Sequence, residues 1–421
     1  MTKTINSTFE RFLLLYLTLY IIPYGFEYIV ELELNPNSPS FWTPLTTWFG
    51  ETFMGWEFDM NRLMKGFDSK YDYSRFSLIF VISILGAVIW RFLDRKITFL
   101  KINVRTWIVT IVRYHVGLTL ILYGMSKVFM LQFGEMDLLN LEDEIGTYTG
   151  MGFLWKFMSY SAFYTTITGY VEVVGGILLL FRKTTFLGAL ISFVAMVNVV
   201  IIDIGYDVSV KMFAIHLLLM VVILISYDLK KIIRFVVFNK AVEGVTYPPL
   251  FSPKHAKIKH VLKGILLCYF TISQFYFFSE RMEREKGENL YPSLTKIFQV
   301  EKQLINGKES DSHELPEANK WKKITINGSS RLNNTMIVET NTGRPIYFSI
   351  EADTIQKTIT FHPFRGDKKE THMFTYEKLS SKEYQFNGVY KGDTLSITTK
   401  TKSKEDFRLM RDKFKWIRDL K

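Results

Sequence analysis

Seven apolar blocks, each close to the ~20 residues needed to cross ~30 Å of hydrocarbon, divide this chain and leave little choice of fold. Inside a bilayer every backbone N–H and C=O must be satisfied within the protein, so such blocks become helices. They run from Phe9 to Ile29 (interrupted at Pro23), Phe76 to Leu93, Trp107 to Phe129, Tyr160 to Phe181, Thr185 to Ile204, Val208 to Tyr227 and Val261 to Phe278. The fourth carries a carboxylate, Glu172. A charge at that depth costs ~3 kcal/mol or more on insertion scales, so it faces a bundle interior or a wet cavity and has a partner. Helical steps of three and four put Thr165, Gly169, Glu172 and Gly176 on one face, where small residues let another backbone approach. Two roles stay open for Glu172: a packing knot, or a group that handles a ligand or proton.

Lys and Arg collect in alternate connections, which orients the spans because short basic loops stay in the cytoplasm. Arg91, Arg95, Lys96, Lys101 and Arg105 follow the second span, Arg182 and Lys183 the fourth, and Lys230, Lys231, Arg234, Lys240, Lys254, Lys257 and Lys259 the sixth. The opposite loops are acidic: residues 31–73 hold seven acids against three basic residues, and the third loop has Glu135, Asp137, Glu142, Asp143 and Glu144 against Lys156. The N-terminus is thus expected in the cytoplasm and everything after Phe278 outside. The first outer loop, rich in Trp and Phe, predicts a short helix at the membrane interface; a lid over an outward cavity is the sharper alternative. The N-terminal block lacks a small-residue cleavage site and is read as a span.

The net charge of +11 does not indicate nucleic acid, since the basic residues sit at block ends or among acids rather than in a stripe. A single cysteine, Cys268, excludes a disulfide or a thiolate zinc site within one copy of the chain. No nucleophile motif, phosphate loop or dinucleotide fingerprint appears in a suitable context.

After Glu280 the composition turns polar. A helix is expected over Leu294 to Leu304, then a disordered linker. Short β-rich runs follow, starting at Trp321, Thr335, Pro345, Lys357, Thr371, Tyr384 and Asp393, with turn signals at Asn327-Gly328, Thr342-Gly343 and Lys391-Gly392. They predict an all-β sandwich or barrel. The final FRLMRDKFKWIRD suits a last strand or a helix. The expected domains are therefore two N-terminal spans (1–105), a four-helix bundle (106–230), a cytoplasmic loop with the seventh span (231–288), a linker (289–320) and an outer β domain (321–421).

Ionisable groups within the spans are few. Arg113, Gly117, Gly124 and Lys127 share a stripe of the third span, with His115 on an adjacent face. Gly188, Ser192, Ala195 and Asn198 line the fifth, and His216 lies near the middle of the sixth. Spans three to six should enclose a polar seam, where Glu172, His115, His216, Arg113, Asn198 and Lys127 are the candidate ligand or proton site. Glu172 and His115 stand at similar depths, ~14 Å from the cytoplasmic helix ends by a rise of ~1.5 Å per residue, and are expected neighbours. A His–carboxylate pair suits proton relay or a quinone head group. Axial haem ligation by two histidines is the weaker reading, because mid-membrane His residues more often hydrogen-bond within the packing. Lys127, Lys211 and Asp203 are expected at the outer surface, the lysines snorkelling.

RYHVGLTLILYGMSKVF from Arg113 and GYVEVVGGILLLFRKTTFLGALIS from Gly169 resemble the DoxX-like four-helix membrane proteins over about Arg113 to Tyr227. The resemblance rests on Gly124 and Lys127, then Gly169, Glu172, Gly175, Gly176 and Arg182. The Pro-Tyr-Gly of the first span and the Phe-x-Trp-Ile near the C-terminus are similar to the longer architecture of Bacteroidetes relatives. This resemblance implies a multi-pass protein of the bacterial inner membrane with a periplasmic C-terminal domain. It also implies a subunit in quinone-linked or oxidant and thiol metabolism, with a membrane or periplasmic protein partner. A non-catalytic scaffold or assembly factor, whose β domain binds a partner, is the rival. A bundle followed by an outer β domain is also similar in layout to vitamin K-dependent carboxylase relatives, from which no catalytic residue transfers.

Overall fold

A computed structural model describes residues 7–60, 63, 66–93, 103–242, 256–286, 291–309, 317–327, 334–343, 345–364, 370–411 and 416–417, apart from 31–41. The chain divides into two compact units, residues 1–134 with 148–279, and residues 135–147 with 280–421.

The first unit is helical. Its long elements are α1 (Thr8–Val30), α2 (Trp42–Met54), α3 (Lys70–Leu93), α4 (Val104–Val128), α6 (Gly150–Tyr160), α7 (Ala162–Leu179), α8 (Thr185–Gly205), α9 (Lys211–Ser226) and α11 (Ala256–Lys286), of which residues beyond Ser279 fall in the second unit. Among the described residues five helices are long and apolar enough to cross a membrane, and a sixth candidate combines α9 with the short α10 (Leu229–Ile232) and a following π turn, bent by 65°. The side chains of 22–30, in the first expected span, lie outside the described residues. Apolar side chains point outward: Phe80, Ile84, Leu85 and Ile89 on α3, and Phe163, Ile167, Tyr170 and Val174 on α7, are exposed. Polar ones point inward, with Arg75, Ser83, Thr165 and Glu172 buried. That inversion is what a lipid environment selects.

Helices α4, α7, α8 and α9 pack as a closed ring, each against its neighbours, as expected of spans three to six. The α4/α7 contact is set by glycine. A Cβ on Gly124 would lie 2.6 Å from the Gly169 carbonyl oxygen, and one on Gly169 would lie 2.6 Å from that of Gly124. The two backbones therefore touch. Side chains cap the ends: Asn103 accepts the Thr106 N–H at the start of α4, and Ser161 accepts that of Tyr164 at the start of α7. Asp68 caps α9 from a distant loop, accepting the N–H groups of Lys211 (2.7 Å) and Met212 (3.0 Å). The aromatic first loop does contain a helix, α2, which buries Trp42 and Phe49 against Leu78 of α3.

The second unit is a barrel. Strands β1 (Ile297–Ile305), β3 (Trp321–Asn327), β4 (Thr335–Thr340), β5 (Pro345–Asp353), β6 (Thr358–Pro363), β7 (His372–Lys378), β8 (Glu383–Tyr390) and β9 (Asp393–Lys402) pair antiparallel in sequence order. Pairing of β1 with β9, from Ile297↔Lys402 to Ile305↔Leu395, closes the ring of eight; β2 (Lys308–Glu309) only extends a hairpin on β1. All seven expected runs are strands. The expected helix over Leu294–Leu304 is instead β1, because its inward face repeats every two residues, at the apolar Phe298 and Val300 and, past a bulge, at the buried amide Gln303 and at Ile305, and because β9 offers an edge. The β unit thus begins before the expected boundary at Trp321. Lys391 and Gly392, both with positive φ, form the two-residue turn between β8 and β9. Asn327-Gly328 extends outside the described residues. Of the C-terminal run, the described residues make the single helical turn α12 (Arg408–Arg411), and 412–415 and 418–421 lie outside the described residues.

Aromatic rings fill the barrel. Trp321 stacks on Phe374 at 5.6 Å, and Phe348, Phe361 and Tyr390 pack around them edge-on or stacked. Gly388 faces Phe374 across β7 and β8, and a Cβ there would collide with its ring. A second grip comes from the 135–147 segment, where the helical turn α5 (Leu138–Glu142) presents Glu142 to Lys323 (2.9 Å) and Lys402 (3.3 Å), while Lys404 donates to the Met136 carbonyl (2.7 Å).

Candidate functional site

Glu172 is buried on α7, with Thr165, Gly169 and Gly176, as its helical face predicts. Its partner is Lys127, not His115. The Lys127 Nζ donates to both Glu172 oxygens at 2.7 Å, and both side chains are buried. The Gly124/Gly169 contact explains the pairing, since it brings the two backbones together one turn from these residues. The expectation that Lys127 snorkels at the surface is corrected by the same geometry: with an acid within reach, a buried ammonium is held by charge and hydrogen bonds together.

Beside this pair lies a chamber of about 290 Å³ within the helical unit. It sits between the C-terminal ends of α4 and α8 and the start of α9, with Glu172, Thr168 and Tyr164 of α7 on one wall and Leu154, Trp155 and Met158 of α6 on another. Tyr123, Phe133, Phe213, Met196 and Leu217 make the remainder largely apolar. Helix α6 is anchored over the chamber: Thr149 caps it by accepting the Gly152 N–H, and the Thr165 hydroxyl donates to the Met158 carbonyl at its end (2.7 Å).

Of the expected site residues, the chamber gathers Glu172, Lys127 and Asn198, the last of them exposed. The others belong to the packing. His216 is held between α1 and α9: its Nε2 pairs with the Tyr16 hydroxyl at 2.7 Å, its Nδ1 donates to the Met212 carbonyl at 2.7 Å, and Tyr20 stacks on the ring at 4.4 Å. Arg113 donates to the Thr185 hydroxyl at 3.3 Å and lies over Tyr114. His115 is buried on α4, and neither ring nitrogen has a hydrogen-bond partner among the described residues. Equal depth along two helices did not make neighbours of Glu172 and His115, because depth says nothing about which way a side chain points around the axis.

Asp203 was expected near the outer surface. It is only 7% exposed and lines the chamber. Lys211, also expected at the outer surface, pairs with Asp207 at 2.7 Å and Asp68 at 3.6 Å. The Lys211 hydrogen bond holds the exposed Asp207 carboxyl below the usual range. The one sequence signal for Asp203 was a carboxylate inside an otherwise apolar block; α6 gave none, because its residues carry no buried charge. No group of metal-ligating side chains occurs among the described residues.

Comparison with known proteins finds a relative in Bacillus subtilis (strain 168), named "Uncharacterized protein YwoB", 34% identical over 134 residues that make up 84% of that protein and 31% of this chain. The chain belongs to the YwoB family. Most of the chain lies outside that match. No family model and no solved structure matches.

Proposed function

We propose that this is a multi-pass protein of the bacterial inner membrane whose four-helix bundle holds a small apolar-bodied molecule in the chamber beside Lys127 and Glu172. Convergence of a buried ion pair with an apolar chamber of about 290 Å³ carries the reading, since binding sites are mostly apolar hollows with a few placed polar groups. Outward-facing apolar side chains and several long apolar helices support membrane insertion. Following the basic loops, the N-terminus is cytoplasmic and the barrel periplasmic. The DoxX-like resemblance over Gly124, Lys127, Gly169 and Glu172 adds a subunit role in quinone-linked or oxidant and thiol metabolism, a quinone being one molecule of suitable shape. Extraction in mild detergent followed by mass spectrometry tests this: a small molecule should co-purify with the wild-type chain and be absent from Ala214→Trp, which fills the chamber. Equal recovery from both forms refutes it.

A second reading, a non-catalytic scaffold, gains from the tight pairing of Glu172. A carboxylate satisfied on both oxygens by one ammonium can simply lock α4 to α7. In that case the barrel supplies recognition of a protein partner.

A further inference from the structure

The polar groups of the chamber are unequally satisfied. Lys127 and Glu172 answer each other. Asp203, more than nine-tenths buried, has no hydrogen-bond donor among the described residues, and its Oδ2 is enclosed without a partner. Gln132, also on the chamber wall, has an Oε1 in the same state. Both are acceptors. The cationic group nearest to hand on the wall, Lys127, is already engaged on both Glu172 oxygens. Of the charged side chains on the wall, Lys127 is positive and Glu172 and Asp203 are negative, and Asp203 stands at the C-terminal end of α8, where the helix dipole adds further negative potential. A buried acceptor left unpaired is costly, and a buried carboxylate more so. Aromatic walls from Tyr123, Trp155 and Phe213 favour a cation or an O–H or N–H edge and an apolar body.

Resting on the reading of the chamber as a binding site, we infer that its occupant is an amphiphile whose head is a hydrogen-bond donor, an ammonium or a hydroxyl, anchored on Asp203. A head without a donor, such as a carboxylate or a quinone carbonyl, leaves Asp203 unanswered, and a carboxylate is also repelled by it; for a quinone-type ligand the rule selects the reduced, dihydroxy form.

Three probes sharing one apolar body test this: phenylbutylamine, phenylbutanol and phenylbutanoate, titrated against the full chain in nanodiscs, with partition into empty discs subtracted. The amine should bind most tightly and the alcohol next. The carboxylate should bind at least about tenfold more weakly than the amine, the scale of one charge-assisted hydrogen bond. Asp203→Asn should weaken the amine by about tenfold or more and bring the three probes closer together. Ala214→Trp should abolish binding of all three. Carboxylate binding equal to that of the amine, or amine binding unchanged in Asp203→Asn, overturns the inference while leaving the chamber a binding site if Ala214→Trp still blocks it. No binding by any probe, or binding indifferent to Ala214→Trp, overturns both. The wild-type comparison of amine with carboxylate decides the matter even if Asp203→Asn does not fold.

Discussion

Lys127 and Glu172 hold each other in place, so removing one charge strands the other. Glu172→Gln should leave a buried ammonium without its counter-charge, at a cost of about 3 to 5 kcal/mol, and lower the melting temperature in detergent. The double variant Lys127→Met with Glu172→Leu should recover most of that loss, since it removes both charges and keeps apolar volume. Thermal unfolding of the three proteins checks the cycle; a double variant no more stable than Glu172→Gln means that the pair is not coupled. His216 gives a contrasting case. Its hydrogen bond with Tyr16 and its stack on Tyr20 tie α1 to α9. His216→Phe should therefore cost stability, by about 1 kcal/mol for the lost hydrogen bond, and leave ligand recovery from the chamber unchanged.

At the scale of elements, two contacts decide the architecture. The α4/α7 seam tolerates no side chain at Gly124 or Gly169, where a Cβ would press on the opposite backbone. Gly124→Val should force the helices apart, separate Lys127 from Glu172 and lower the melting temperature at least as much as Glu172→Gln. In the other unit, β1 closes the barrel by pairing with both β3 and β9. A fragment starting at Trp321 lacks β1 and exposes the edges of both partners, so it should aggregate or fail to melt cooperatively. A fragment starting at Tyr291 should show β circular dichroism and a single transition. If the two behave alike, closure by β1 contributes nothing to folding.

For the whole molecule, the two units are interleaved along the chain: segment 135–147 leaves the helical unit after α4, joins the barrel unit and returns at α6. Glu142 is its anchor, between Lys323 and Lys402. Burial draws the Lys323 ammonium down, but its hydrogen bonds to Glu339 and Glu142 outweigh this and hold it above its usual value, so it stays charged through neutral pH. Glu142→Gln should loosen the segment and speed its proteolysis, read as a cleavage between Glu135 and Thr147, without altering the melting of the barrel. A reporter fused after Lys421 should be active only outside the cytoplasm; cytoplasmic activity sinks the proposed orientation.

The sequence by itself determined the apolar blocks, the inward face of α7, the helices that make up the four-helix ring and seven strands of the barrel. These follow from local periodicity, which repeats along an element and needs no knowledge of its neighbours. Only the tertiary structure decided the partners. Which cation meets Glu172 depends on the rotation of α4, set by two glycines touching across the seam. Whether 297–305 is helix or strand depends on the open edges of β3 and β9. That Asp203 faces a chamber and not solvent depends on α6 and on the capped start of α9, brought there by residues far apart in the chain. Contacts between distant segments pay their entropy only when the whole fold assembles, and a local reading of the chain cannot contain them.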